Sequence, residues 1–182
     1  MADFSHQQIE AEVPRLRRYA LALTRDVVAA DDLVQNCLVR ALSKQHLWQE
    51  GTDLRAWLFT ILHNQYVNDV RRAVREGRTV EMSPKMADYE PSLSRAAGQE
   101  QSVELRDLDR ALAKLPDEQR AVILLIGLEG MSYEKAAEII GCPAGTVRSR
   151  LSRGREELRR LMGERTEKRG RPLRAEAIAA AA

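Results

Sequence analysis

Five polar residues between positions 146 and 153 form a set able to do recognition chemistry: Thr146, Arg148, Ser149, Ser152 and Arg153. Each hydroxyl donates and accepts a hydrogen bond. Each guanidinium offers a rigid fork of donors that matches phosphate oxygens or the O6/N7 edge of a guanine. At helical spacing these residues point away from a second, apolar set made of Val147, Leu151, Leu158 and Leu161, with Gly154 among them. One side packs on a small core and the other addresses something anionic and patterned. That is how the second helix of a helix-turn-helix reads the DNA major groove. An ordinary helical hairpin with a solvated basic face would give the same pattern, so the elements around the set have to decide.

A first helix over residues 133–140 has Ser132 as its N-cap and a lean face of Ala136, Ala137 and Ile140, which permits close helix crossing. Gly141 stands where a helix end favours a residue without a Cβ. Pro143 cannot continue that helix but suits the start of another. Gly145 and Thr146 are small, so a phosphate can approach the free N–H groups of the new N-terminus. The turn and the polar face together fit the helix-turn-helix layout.

Charge distribution agrees. The net charge of the 182-residue chain is only +2, but residues 144–174 carry eleven Arg or Lys against four Glu, whereas residues 1–143 carry eighteen basic against twenty-two acidic residues. The basic end coincides with the helix-turn-helix and favours phosphate. The acidic remainder is expected to meet a protein. Aromatics make up 4% and charged residues 31% of the chain, with Ala, Leu, Arg and Glu abundant, which predicts an all-α fold. No apolar run is long enough to cross a bilayer and the first residues lack a secretory signal, so a cytoplasmic location and no membrane insertion are expected. Cys37 and Cys142 form no CxxC and are read as small reduced thiols. The three histidines, His6, His46 and His63, are scattered. There is no paired-carboxylate or Ser/His/Asp set, so neither catalysis, metal nor cofactor is expected.

The pattern divides the chain into residues 9–76, a linker at 77–102, residues 103–163, and a basic tail at 164–182. In the first part, Val13, Leu16, Tyr19, Ala20 and Leu23 mark a helix; 26–30 reads as a connection; Leu33, Cys37, Leu38, Ala41 and Leu42 mark a helix over 31–47. Thr52 or Asp53 caps a long helix over Leu54–Arg75, with Trp57, Leu58, Ile61, Leu62 and Val70 predicted inward. The linker holds few large apolar residues and cannot fold alone. The third part has a helix over 104–114, one opening at Pro116 whose run Ala121 to Ile126 fills the middle of a four-helix core, and then the helix-turn-helix.

The long helix carries a second set of chemistry. Trp57, Phe59, Tyr66, His63, Asn64, Gln65 and Asn68 lead into Arg71, Arg72 and Arg75. Aromatic planes and amides suit unstacked bases, and arginines suit the phosphate backbone. Equally, the rings can be core and the arginines a solvated helix end. Asp32, Gln35 and Asn36 lie opposite Leu33 and Cys37, either favouring a helix N-terminus or docking a basic partner surface.

The segments LRRYALALTRD, ADDLVQNCLVRAL, LRAWLFTILHNQYVNDVRR and LPDEQRAVILLIGLEGMSYEKAAEIIGCPAGTVRSRLSRGREELR, in this order, resemble a bacterial extracytoplasmic-function (ECF) sigma factor, and look most like the alphaproteobacterial general-stress branch. The resemblance covers about residues 13–75 and 105–161. It implies two small helical domains, a sigma region 2-like one at 9–76 and a sigma region 4-like helix-turn-helix at 103–163, in a protein that binds core RNA polymerase and directs it to promoters in a stress response. By the same resemblance Asp32, Leu33 and Gln35 bind the β′ clamp helices. The 46–54 loop, with Trp48, accepts a flipped base of the −10 element, and Trp57, His63, Asn64, Asn68 and Arg71 open the duplex there. Thr146, Arg148, Ser149, Ser152 and Arg153 read the −35 element. The implied partners are core polymerase (β′ clamp helices and β flap), promoter DNA and an anti-sigma factor. Arg150 flanks the apolar stripe, and geometry gives it a phosphate or intramolecular role. The alternative reading is a stand-alone helix-turn-helix regulator that does not bind polymerase.

Overall fold

The computed structural model describes residues 6–49, 51–77 and 99–168. Most of the expected linker (78–98) and the end of the tail (169–182) lie outside the described residues. Helices α1 (His6–Thr24), α2 (Val27–Ser43) and α3 (Leu54–Arg75) are followed by α4 (Gln99–Leu112), α5 (Asp117–Ile123), α6 (Tyr133–Ile140) and α7 (Ala144–Lys168). No strand occurs among the described residues, in line with the all-α expectation. Two compact units result: α1 to α3 with residues 137–142 belong to one, and α4, α5 and α7 with residues 133–136 to the other.

In the first unit α2 packs on both α1 and α3. Leu16, Tyr19, Ala20 and Leu23 of α1, Ala30, Leu33, Val34, Cys37 and Ala41 of α2, and Leu58, Phe59 and Leu62 of α3 are buried. Tyr19 meets Phe59 with ring centroids 5.2 Å apart in a tilted pair. A satellite cluster joins Ile9 and Trp48, backed by Leu38, Leu54 and Trp57. Pro14 sits inside α1.

The expected connection at 26–30 is shorter than the sequence pattern predicts. Arg25 takes a left-handed φ of 58° and Asp26 caps α2, its carboxylate accepting the Ala29 N–H at 2.8 Å. Residues 27–30 are therefore the first turn of α2. At the other end α2 stops at Ser43, and a single 3-10 turn, Gln45–Leu47, covers the rest of the expected helix. Asp53, not Thr52, caps α3: its carboxylate accepts the Ala56 N–H at 3.0 Å.

In the second unit α7 packs against α4 and α5. Pro116 is the N-cap of α5, which therefore opens at Asp117, one place after the expected start, and its carbonyl accepts the N–H groups of Gln119 and Arg120, each at 2.9 Å. The apolar run does not stay α-helical. Leu124–Leu128 form a π-helical turn, closed by the Glu129 N–H donating to the Leu124 carbonyl at 3.0 Å. Ala121 to Leu125 are buried, with Ile126 half-buried at the edge. Helix α4 starts four residues before 103, and α7 continues past Gly163 to Lys168, because the Gln, Glu, Arg and Lys around those ends are good helix formers.

Candidate nucleic-acid interface

The helix-turn-helix is built by local capping. The Ser132 hydroxyl accepts the Lys135 N–H at 3.2 Å and starts α6. Gly141 ends it at φ 72°, where the N–H groups of Gly141 and Cys142 both return to the Ala137 carbonyl at 2.9 and 3.1 Å. The Pro143 carbonyl then accepts the N–H groups of Thr146 and Val147, at 2.9 and 3.2 Å, and launches α7. Three residues thus separate the two helices.

Helix α7 has the two predicted faces. Val147, Leu151, Leu158 and Leu161 are buried. Gly154 is buried with them, and a Cβ there would lie 2.8 Å from Cδ1 of Ile123 and 3.3 Å from Cβ of Gln119, so α5 and α7 approach closely at this point. Arg148, Ser149, Ser152 and Arg153 are exposed and Thr146 is half-buried. The Ser149 hydroxyl donates to the Thr146 carbonyl at 3.0 Å, which aims its lone pairs outward. Arg148 lies over the ring of Tyr133, 5.9 Å from the centroid. Arg150 takes the intramolecular one of its two expected roles, pairing with Glu118 of α5 at 2.6 Å. Further along, Arg160 grips Glu157 at 2.5 and 2.8 Å, and this hydrogen bond holds the Glu157 carboxyl below its usual range.

In the first unit the candidate residues separate by face. One residue is about 100° of helical turn. Trp57, Asn64, Asn68 and Arg71 of α3 therefore share a stripe, with Asn64, Asn68 and Arg71 exposed and Trp57 half-buried against the satellite cluster. His63 falls outside that stripe. It is 5% exposed, and its Nδ1 lies 3.2 Å from the hydroxyl of Tyr19 in the core. The buried face of α3 is Ala56, Leu58, Phe59, Leu62, His63 and Tyr66, while Trp57, Ile61 and Val70, expected inward, are half-buried. Trp48 is also corrected: at 8% exposure it anchors the loop onto Ile9 instead of offering a stacking plane. His46 and Leu47 are the exposed side chains of that loop's start. On α2, Asp32, Gln35 and Asn36 are exposed, whereas Leu33, at 4% exposure, faces the core and cannot present its side chain to a partner. Asn36 and Arg40 of α2 line one polar cleft with Gln65, Asn68 and Asp69 of α3. Among the described residues no group of His, Cys, Asp or Glu is arranged to hold a metal ion, and no helix is long and apolar enough to cross a membrane.

Two family models match this chain. Residues 9–63 match the Sigma2 domain of PhyR, and residues 105–158 match Sigma-70, region 4. Over 162 residues the chain is 41% identical to the ECF RNA polymerase sigma factor EcfG of Rhodopseudomonas palustris (strain TIE-1), covering 89% of this chain and 87% of that one. This chain belongs to the ECF RNA polymerase sigma factors. As a structure, the sigma factor is similar to RpoE from Bartonella quintana, solved in complex with the anti-sigma factor NepR. That match has a TM-score of 0.70 at 38% identity and covers 86% of this chain and 95% of that one. It is also similar to CnrH, solved with the cytosolic domain of CnrY, at a TM-score of 0.62 and 25% identity, over 87% and 86% of the two chains. Sequence reasoning on the sigma factor missed two neighbours of α7, Tyr133 and Glu118. Tyr133 follows the N-cap Ser132 directly, so its place at the start of α6 was readable, but its partner on α7 was not.

Proposed function

We propose that this sigma factor binds core RNA polymerase in the cytoplasm and supplies promoter choice and local duplex opening, with no bond chemistry of its own. Residues 103–163 act as the −35 module: Thr146, Arg148, Ser149, Ser152 and Arg153 enter the major groove, where each bidentate contact discriminates by about 1–3 kcal/mol. Residues 9–76 act as the polymerase-binding and −10 module. Asp32 and Gln35 meet the β′ clamp helices, and Asn64, Asn68 and Arg71 follow the opened strand. The loop at 46–54 takes a flipped base, whose extrusion costs a few kcal/mol that pocket and stacking contacts must offset. Trp48, His63 and Leu33 contribute from the core by fixing the surfaces that their neighbours present, and Trp57 from its edge. In sequence, residues 77–102 connect the modules and the basic residues 164–182 follow them. An anti-sigma factor that covers both modules keeps the protein from polymerase until a stress releases it. The likeness to EcfG and to sigma factors solved with NepR and CnrY supports this part. Family membership argues against the stand-alone regulator.

The observation that carries the reading is the exposed row of Arg148, Ser149, Ser152 and Arg153 opposite a fully packed face of α7. The test is transcription from a genomic fragment library by core polymerase plus this chain, followed by the same assay with variants. Initiation at a defined set of sites is expected. Replacing Arg148 and Arg153 by Ala should abolish −35-dependent initiation and leave core binding unchanged, while Asp32→Ala with Gln35→Ala should weaken the core complex. No initiation at any site would end the reading, and loss of core binding in the arginine variant would overturn the division of labour.

A further inference from the structure

Arginines along α7 are steered in different ways. Arg150 is tied to Glu118 and Arg160 to Glu157, both through carboxylates. Arg148, on the face proposed to enter the groove, instead rests over the face of the Tyr133 ring, with the guanidinium carbon 5.9 Å from the centroid. The difference has a chemical meaning. A carboxylate occupies N–H donors and cancels charge, so it would have to be displaced before DNA is bound. A ring face attracts the cation through its quadrupole and occupies none of the five N–H donors.

Tyr133 is well placed for such a task. It is the first residue of α6, fixed there by the Ser132 cap one position earlier. At 37% exposure the residue stands at the rim of its unit, where its ring meets the Arg148 guanidinium. Tyr133 and Arg148 both belong to the second unit, where ring and guanidinium meet.

We propose that Tyr133 is a positioning residue for promoter reading: its ring holds the Arg148 guanidinium extended and ready for a base edge of the −35 element. The ring limits the rotamers of a long side chain before binding, so less freedom is lost when the contact forms. This rests on the reading of α7 as the −35 helix, and the experiment separates the two.

The measurement is promoter affinity of reconstituted holoenzyme, made with the full chain, on a promoter from the library and on the same promoter with single −35 base changes. The ratio of the two affinities is the discrimination. Tyr133→Leu should reduce discrimination by about two- to fivefold, the size expected of one exposed cation–π contact. Tyr133→Phe, which keeps the ring face, should retain it. In an Arg148→Ala background, Tyr133→Leu should cause no further loss. An equal loss in both backgrounds would overturn the proposal, since Tyr133 would then act alone. So would Phe losing as much as Leu, which would point to the hydroxyl. So would Tyr133→Leu with full discrimination. If Arg148→Ala alone leaves discrimination intact, the reading of α7 itself fails and this proposal falls with it.

Discussion

Asp31 and Asp32 are adjacent and have different fates. Asp31 accepts a two-pronged hydrogen bond from Arg17 of α1, at 2.7 and 3.0 Å, and so braces the first two helices. Asp32, about 100° further round the helix, is exposed. The same step separates buried His63 from exposed Asn64. Cys37 lies on the inward side of α2, where its thiol donates to the Leu58 carbonyl at 3.5 Å and burial pushes it from its ordinary 9.0 up to about 12. Cys37 is thus a protonated, unreactive thiol in the folded chain at neutral pH. Alkylation at pH 8 followed by mass spectrometry should label half-exposed Cys142 and spare Cys37 until denaturant is added. A raised value also fixes the sign of a pH effect. The unfolded thiol ionises near 9.0 while the folded one stays protonated until about 12, so the contribution of Cys37 to stability is complete below pH 9 and falls as pH rises through that window. A lower urea midpoint for wild type at pH 10 than at pH 8, with the gap narrowed in Cys37→Ala, is the expected result.

Gly141 and Gly154 are held by opposite constraints, and substitution should tell them apart. Gly141 has open space around it but a φ of 72°, so Gly141→Ala puts a side chain into the left-handed region and should lower stability by about 1–2 kcal/mol. Gly154 has ordinary helical backbone but no room. Ala there gains about 1 kcal/mol of helix propensity against crowding of Ile123 and should come out close to neutral, whereas Val should lose about 1–3 kcal/mol. Thermal or urea unfolding of the three variants checks this ranking, and a Gly154→Ala as costly as Gly154→Val, or a Gly141→Ala without loss, would contradict it. The same elements show what local pattern can and cannot reveal. The stripe of α7 was readable because Val147, Leu151, Leu158 and Leu161 keep helical period against a polar background, and the turn was readable from Gly141 and Pro143. Helix α3 was read on the wrong face in part, because it has aromatic rings on several sides and composition does not say which ring packs. Trp48 finds Ile9 across a long stretch of chain, a contact with no local signal. The π turn at Leu124–Leu128 was invisible as well: its residues read as buried apolar ones, and a hydrogen-bond register leaves no trace in hydrophobicity.

Each module of the proposed sigma factor addresses only a short stretch of DNA, so selectivity has to come from holding both at once. Core polymerase is proposed to do this by fixing the spacing of the −10 and −35 readers, and linking two weak contacts in this way can raise affinity by about 10²–10⁴. The free chain is therefore expected to bind a promoter fragment far more weakly than the holoenzyme in a filter or anisotropy assay, and equal affinities would contradict the idea. Charge enters at this level too. The Arg150–Glu118 bridge joins a largely exposed carboxylate to a guanidinium, and a pair of this kind adds at most about 1 kcal/mol to stability. Its larger effect lies elsewhere. Because Glu118 engages one cation of α7, its expected effect is to weaken a phosphate contact that would be made equally on any sequence. Glu118→Gln should steepen the logarithmic salt dependence of binding to random duplex by about 0.9. One glutamate would then shorten the time that the protein idles on irrelevant stretches of the chromosome, and so quicken its search for the few places where it is needed.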